Sequence, residues 1–482
     1  MVFFTDKNSS PYSIDNPSEY LSARAIQRRE NQGIAITEED LPVNLTYIEW
    51  VKASGSIDIR YTFKWINGVH VQATSADAEA LKLLSFVSNV EYIAPSTASG
   101  RIMKEMDINE LAESESDTLF QFDILGVSEM RADGYQGENM LIAVIDGGFR
   151  GVTTVSAFSH LFDNNQILMT YDLVKHSEDV YDVIDHGTKV LSILAARNTN
   201  PEYYGVVPNA NYLLFNTEDL PTEYRTDEYR WMKAAEIADS AGADIISSSL
   251  GYNEFDDPVM NYELSDIDGQ TAVTTRAVQM AANKGILVVN SAGNTGLSDP
   301  WEKVLVPGDM IDGLAVGSLL TESLPSTFSA RGPTEDGRIK PDVMADGSGT
   351  FVINETGMIV NASGTSYSTP LVAGLAAGVW QAYPEVDVLT LIDAFRNSSS
   401  LSANPNSDMG YGIPSYRALV NYLENESSEQ WLSVYPNPVS GHENVRIKVS
   451  DPTLNSHVKI SIFDRLGREL PGGELELTWQ NN

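Results

Sequence analysis

Between residues 141 and 316, five short and continuous apolar runs alternate with amphipathic stretches of helical period. The runs fall at 141–145, 212–215, 244–246, 286–290 and 314–316, and helical spacing occupies 230–240 and 274–283 between them. A strand that is apolar at every position is buried on both faces, and a sheet of such strands needs helices on each side. The pattern predicts an α/β domain built on a doubly wound, mostly parallel sheet. In an open sheet of this kind, ligands and chemistry gather beyond the carboxyl ends of the strands. The residues at those exits are the candidates for function.

Four strand exits or helix starts carry chemically useful side chains. Asp146 follows the first run in Val-Ile-Asp-Gly-Gly-Phe, where two glycines let the chain turn sharply out of the strand. Taken alone, an aspartate there is more often a turn or helix-capping residue. His186 stands in Asp-His-Gly-Thr ahead of an apolar helical run. Histidine is what a general base working near neutral pH would use, and it also packs or caps in such a place. Asn294, in Asn-Ser-Ala-Gly-Asn-Thr-Gly, carries an amide that can donate to an oxyanion or stabilise a glycine-rich turn. Ser366 lies where Asn361-Ala-Ser-Gly-Thr-Ser runs into a helix of small residues, with Pro370 early in it and Gly374, Ala376, Ala377 and Gly378 leaving little side chain. Such a helix packs closely on all sides. A serine at its start faces the positive end of the dipole and serves equally as an N-cap.

Composition narrows the chemistry. There is no cysteine, so disulfides, a thiolate nucleophile and Cys-ligated metal are excluded, and covalent catalysis would fall to Ser, Thr, Lys or a carboxylate. With 67 acidic against 31 basic residues the formal net charge is −36, which argues against nucleic acid or an anionic membrane surface as partner. No apolar run is long enough to span a bilayer, and Met-Val-Phe-Phe-Thr-Asp lacks the basic flank and apolar core of a signal peptide. The expectation is a cytoplasmic chain, or one whose signal has been removed.

The rest of the chain divides around this domain. Residues 1–97 read as strand (2–5), helix (18–29), strand (45–51), a long extended stretch (57–73), helix (76–84) and strand (90–93). That order is the split pattern of a ferredoxin-like α+β domain. Residues 98–120 are polar, acidic and small, an exposed linker of the kind proteases cut. The α/β domain would then occupy 121–424, an acidic hinge 425–430, and a small all-β module 431–482, with strands at 445–449 and 458–463. The last is too short for a full immunoglobulin-like sandwich.

Taken together, Val144-Ile-Asp-Gly, Asp185-His-Gly-Thr, Ser248-Ser-Leu-Gly, Ala292-Gly-Asn and Gly364-Thr-Ser-Tyr-Ser-Thr-Pro, in the chain order Asp, His, Ser, resemble the subtilisin-like serine peptidases, the subtilases. The resemblance implies that Ser366 attacks a peptide carbonyl, His186 carries the proton, and Asp146 orients the imidazole. Asn294 and the Ser366 N–H would hold the oxyanion, and Ser249, Leu250 and Gly251 would form one wall of the primary specificity pocket. Lys189 departs from the family, many of whose members have a second histidine there; it lies outside the triad. Residues 1–97 are similar to the inhibitory propeptide of subtilases. Residues 431–482 resemble the type IX secretion sorting domain of Bacteroidetes in Val434-Tyr-Pro-Asn-Pro-Val and Ile462-Phe-Asp-Arg-Leu-Gly-Arg, without the last strands such domains usually have, so that the module is truncated or atypical. If it is a sorting domain, a signal peptide is expected ahead of this chain. No cofactor is required; calcium, which many subtilases bind, has the acidic loops 177–182 and 266–269 as candidates, although neither matches an EF-hand.

The expectation is a secreted serine endopeptidase, made as a self-inhibited zymogen, with protein or peptide substrates, its own propeptide and the secretion machinery as partners. Two rivals stand beside it: a catalytically silent subtilase-fold protein that binds surfaces, and an enzyme dedicated to a single secreted target.

Overall fold

The computed structural model describes residues 1–8, 10–95, 108–111, 120–199, 202–297 and 299–429, and four further strands beyond them. Met1–Val420 form one compact unit and Asn421–Asn482 another.

The chain opens with β1 (Val2–Phe4), α1 (Ala23–Asn31), α2 (Leu45–Ala53), β2 (Asp58–Phe63), β3 (Gly68–Gln72), α3 (Ser75–Leu81) and β4 (Val87–Val90). The sheet order is β2-β3-β1-β4, with every pair antiparallel. This is the ferredoxin-like arrangement, with α2 and α3 as the two crossovers. The expected strand at 45–51 is therefore wrong: it is α2. Asn44 caps it by accepting from the Thr46 N–H, and Ile48 and Val51, three residues apart, are buried while Leu45 and Trp50 face outward. The extended stretch 57–73 divides at a turn through Asn67, whose φ is 47°. The helix expected from 18 starts at Ala23, because Ser22 accepts from the Ala25 N–H and ends the preceding chain. The last strand stops at Val90 because Ile93 leaves the sheet for the core of the following domain.

That domain contains β5 (Leu141–Asp146), β6 (Ile167–Asp172), α4 (His186–Ala195), β7 (Asn211–Asn216), α5 (Arg225–Ala241), β8 (Ile245–Ser248), α6 (Val273–Asn283), β9 (Leu287–Ser291), β10 (Leu314–Thr321), β11 (Val343–Asp346) and α7 (Thr365–Ala382). Its sheet runs β10-β9-β8-β5-β7-β6, with β11 also on β10, and all these pairs are parallel. A short antiparallel strand, Leu324–Pro325, adds to β10. Helices α5 and α6 pack together on one face, and α4 and α7 on the other. After β5 the chain goes first to one side, for β6 and β7, and then to the other, for β8 to β10. The order thus switches at β5, and the crevice of such a sheet opens at the strand end occupied by Asp146.

The N-terminal domain docks on α5. Tyr61, Phe63 and Trp65 join Tyr229 and Trp231 in one hydrophobic cluster. The Ser22 N–H donates to the Ser240 carbonyl at 2.9 Å, and Gly242, φ +93°, ends α5 where a Cβ would lie 2.7 Å from the Ala25 nitrogen. At the centre, fully buried Asp239 receives Arg28 at 2.6 Å, Arg29 at 2.8 Å and Lys64 at 2.8 Å. Burial would raise its carboxyl pKa, but Lys64, Arg29 and Arg28 hold it well below the usual carboxylate range.

In the C-terminal unit, Leu432–Tyr435 pairs antiparallel with Arg446–Val449, and His457–Phe463 with Glu469–Thr478. Helix Tyr416–Glu429 runs through most of the positions expected as a hinge. Within the expected linker, Ile108–Leu111 pairs antiparallel with Ile359–Ser363, while 98–107 and 112–119 lie outside the described residues. Among the described residues no helix is long and apolar enough to cross a membrane.

The cluster at Asp239 is testable. Asp239→Ala removes the carboxylate shared by three buried cations, of which Arg29 keeps Asp40 at 2.8 Å, and is expected to lower stability by about 3–5 kcal/mol, read as a lower urea midpoint at pH 7. Because the carboxyl is depressed, its contribution in the wild type is present above the ordinary aspartate pKa and is lost only as the pH falls below it. An unchanged midpoint in the variant would mean that these charges are effectively solvated.

Candidate active site

The Asp146 carboxylate sits at the end of β5 with no exposed surface. Its Oδ1 accepts from the Gly147 N–H at 2.7 Å and lies 2.7 Å from His186 Nδ1. A carboxylate only accepts, so this contact fixes the imidazole proton on Nδ1 and leaves Nε2 as the basic face. His186 begins α4 and is 2% exposed. Its loop is sewn to the exit of β5: the Gly187 N–H donates to the Gly148 carbonyl at 3.0 Å, and the Arg150 N–H to Ile184 at 2.9 Å. A side chain at Gly187 would place its Cβ 2.5 Å from the Gly148 oxygen, so glycine is what allows the approach. Lys189, one turn on, is buried with its ammonium 3.5 Å from Asp185.

Ser366 lies in the first turn of α7, a helix buried from Thr365 to Trp380. Gly374 lets α7 meet Val206, whose side chain would be 2.6 Å from an added Cβ. Pro370 has no N–H for the carbonyl four residues back, that of Ser366. The Ser249 hydroxyl donates to that carbonyl instead, at 2.8 Å, and Ser366 Oγ is 3.5 Å from the Ser249 carbonyl. Asn294 follows β9. Its Oδ1 accepts from both the N–H and the hydroxyl of Thr365, each at 3.0 Å, which leaves the amide N–H groups as the free donors of that side chain. The wall Ser249-Leu250-Gly251 continues β8, and Asn290 Nδ2 holds the Leu250 carbonyl at 2.8 Å.

One cleft of about 390 Å³ is lined by His186, Ser366, Asn294, Ser249, Leu250 and Gly251. Every expected site residue except Asp146 faces it, and Asp146 reaches it through His186. The sequence reading missed Thr365, which orients Asn294, and Leu305, which lines the cleft beside the glycine wall. It also missed the acidic lining of Glu218, Asp219, Glu223, Glu254 and Asp299. Glu218 and Asp219 follow the exit of β7, so the strand-end rule applied to that run would have found them. Burial pushes the Glu218 carboxyl up to about 7, against the Tyr252 and Thr217 hydroxyls that donate to it at 2.7 and 2.9 Å.

In the two loops considered for calcium, the aspartates are engaged by the protein. Asp268 accepts from the Gln270 and Thr271 N–H groups, Asp179 from the Tyr181 N–H, and Asp182 pairs with Lys175. Among the described residues no group of three or more metal-ligating side chains gathers.

Known proteins bear on this geometry. The subtilase family (peptidase S8) matches residues 137–412, and the peptidase S8 propeptide domain of Bacteroidota matches residues 1–109. Subtilisin E of Bacillus subtilis (strain 168) is 27% identical over 352 residues, covering 72% of this chain and 79% of its own. The major intracellular serine protease of the same organism is 30% identical over 278 residues, 56% of this chain and 76% of its own. Among solved structures, MycP1 from Mycobacterium smegmatis aligns with a TM-score of 0.51 at 21% identity, over 66% of this chain and 89% of its own, a likeness of fold alone. The chain belongs to the subtilase family: it is a subtilisin-like serine peptidase preceded by an S8 propeptide domain of the Bacteroidota type.

Proposed function

We propose that this peptidase is a secreted endopeptidase made as a self-inhibited zymogen, and that Asp146, His186, Ser366 and Asn294 are its catalytic residues. The observation that carries the reading is the 2.7 Å pair of buried Asp146 and His186 beside a cleft that Ser366 and Asn294 also line. Ser366 Oγ attacks the carbonyl of an extended segment, and its proton passes to His186 Nε2. Asp146 holds the Nδ1–H and stabilises the imidazolium that forms. The developing oxyanion takes hydrogen bonds from Asn294 Nδ2 and the Ser366 N–H. Collapse of the tetrahedral intermediate expels the amine, which takes the proton from His186, and water then hydrolyses the acyl-enzyme by the same route.

Self-inhibition is supported by the docked propeptide and by where its tail runs. The Ile93 carbonyl accepts from the Thr226 N–H at 3.2 Å, close in sequence to the cleft residues Thr222 and Glu223. Secretion through a type IX system is the part of the reading that rests on the sequence motifs of residues 431–482.

Three outcomes test this. The purified chain is expected to react with a fluorophosphonate and to lose the mass of about its first hundred residues, whereas Ser366→Ala does neither. Absence of label after nicking within 98–120 would sink the assignment of the nucleophile. Asn294→Ala is expected to lower kcat by about 10²–10³, the effect that removing one such donor has in a subtilisin, with KM little changed. Removal of residues 431–482 is expected to leave labelling intact but keep the protein from the medium of a Bacteroidota host; unchanged export would refute the sorting role.

A further inference from the structure

The specificity wall contains a glycine, Gly251, and a second glycine, Gly293, lies just before Asn294 on the cleft. The space between the two is occupied by the protein itself. A Cβ built on Gly251 would lie 2.8 Å from the Leu305 Cβ, and one built on Gly293 would lie 2.7 Å from the Leu305 Cγ. One leucine side chain thus stands against both backbones. It is held there from two sides: the Leu305 N–H donates to the Ala292 carbonyl at 2.9 Å, and Tyr252 and Val306 exchange backbone hydrogen bonds at 2.9 and 3.2 Å. Ala292 adjoins Gly293, and Tyr252 adjoins Gly251, so the segment carrying Leu305 is tied to each wall. The residue is 9% exposed and lines the cleft.

We infer that Leu305 is the floor of the primary specificity slot and that the enzyme selects a small residue, Gly, Ala or Ser, on the acyl side of the bond it cuts. The inference rests on the reading of Ser366 as nucleophile and of Ser249-Leu250-Gly251 as the slot wall. An aromatic or long aliphatic side chain would need the volume that Leu305 fills, and a rigid, hydrogen-bonded wall does not yield it without strain. A glycine pair leaves a flat slot, and the leucine then shortens it. The stretch expected to carry the processing site offers both kinds of bond: small residues at 98, 99, 100, 112, 114 and 116, and large apolar ones at 102, 103, 106, 108, 111, 119 and 120. The slot picks the first set.

The test compares succinyl-Ala-Ala-Pro-Ala and succinyl-Ala-Ala-Pro-Phe anilides on the self-processed chain. The alanine substrate is expected to be favoured by about tenfold or more in kcat/KM, the scale on which apolar pockets discriminate size. Leu305→Gly is expected to move that ratio about tenfold or more toward phenylalanine, with fluorophosphonate labelling showing that the variant keeps its site. A wild type that prefers phenylalanine, or a labelled variant that keeps the wild-type ratio, would overturn the proposal, as would maturation after any of the large apolar residues of 98–120 on N-terminal sequencing. If the wild type takes no label, the nucleophile reading has failed, and the slot is read separately on Ser366→Ala. Tighter binding of Ala-Ala-Pro-Ala than of Ala-Ala-Pro-Phe would support it there, and the reverse order would overturn it.

Discussion

Pro370 and Ser249 set the constraint on which the site depends. A helix running without proline would satisfy the Ser366 carbonyl with the N–H four residues on, and Pro370 has none. Buried carbonyls need a partner, and the Ser249 hydroxyl supplies it at 2.8 Å from the end of a strand more than a hundred residues away in sequence. The backbone of Ser366 is thereby fastened to the segment that continues β8. Asn294 is fastened to the same turn through Thr365. The helix start, the strand end and the glycine turn are consequently tied to one another by hydrogen bonds, the kind of fixing that the proposed chemistry needs to hold reacting groups in near-attack geometry.

The other half of the site is assembled by close approach. Gly148 and Gly187 bring the exit of β5 against the start of α4, and the Asp146 to His186 hydrogen bond follows from that contact. Both halves hang on one sheet whose order switches at β5. The small residues of α7 let that helix lie across the strands from β8 to β11. Packing of this density tolerates little change in volume, so the side chains lining the cleft inherit their positions from the core.

The N-terminal domain is fixed by different means. Aromatic burial against α5 supplies area, while the three cations on Asp239 supply register, since a buried carboxylate is tolerable only where its partners arrive together. In a chain so strongly acidic, placing Arg28, Arg29 and Lys64 at this one contact gives the two domains complementary charge.

The α/β class, five of the sheet's strands, and the placing of Asp146, His186, Asn294 and Ser366 at strand exits or helix starts were legible in the sequence, whereas β6 and β11 were not. Continuous apolar runs of this length fit strands buried on both faces, and the motifs lie at strand exits or helix starts. The ferredoxin-like order of the first domain was also legible, although the strand expected at 45–51 is the helix Leu45–Ala53. Their short apolar pattern fits both periods, and the Asn44 cap and the burial of Ile48 with Val51 made the choice. What no pattern in the sequence carried was distance between segments. That Ser249 would complete the hydrogen bonding of Ser366, that Thr365 would turn the Asn294 amide, and that Leu305 would stand between Gly251 and Gly293 all depend on which segments meet across the sheet. Periodicity reports a residue's surroundings along its own element. Only the folded chain decides which side chain fills the space opposite.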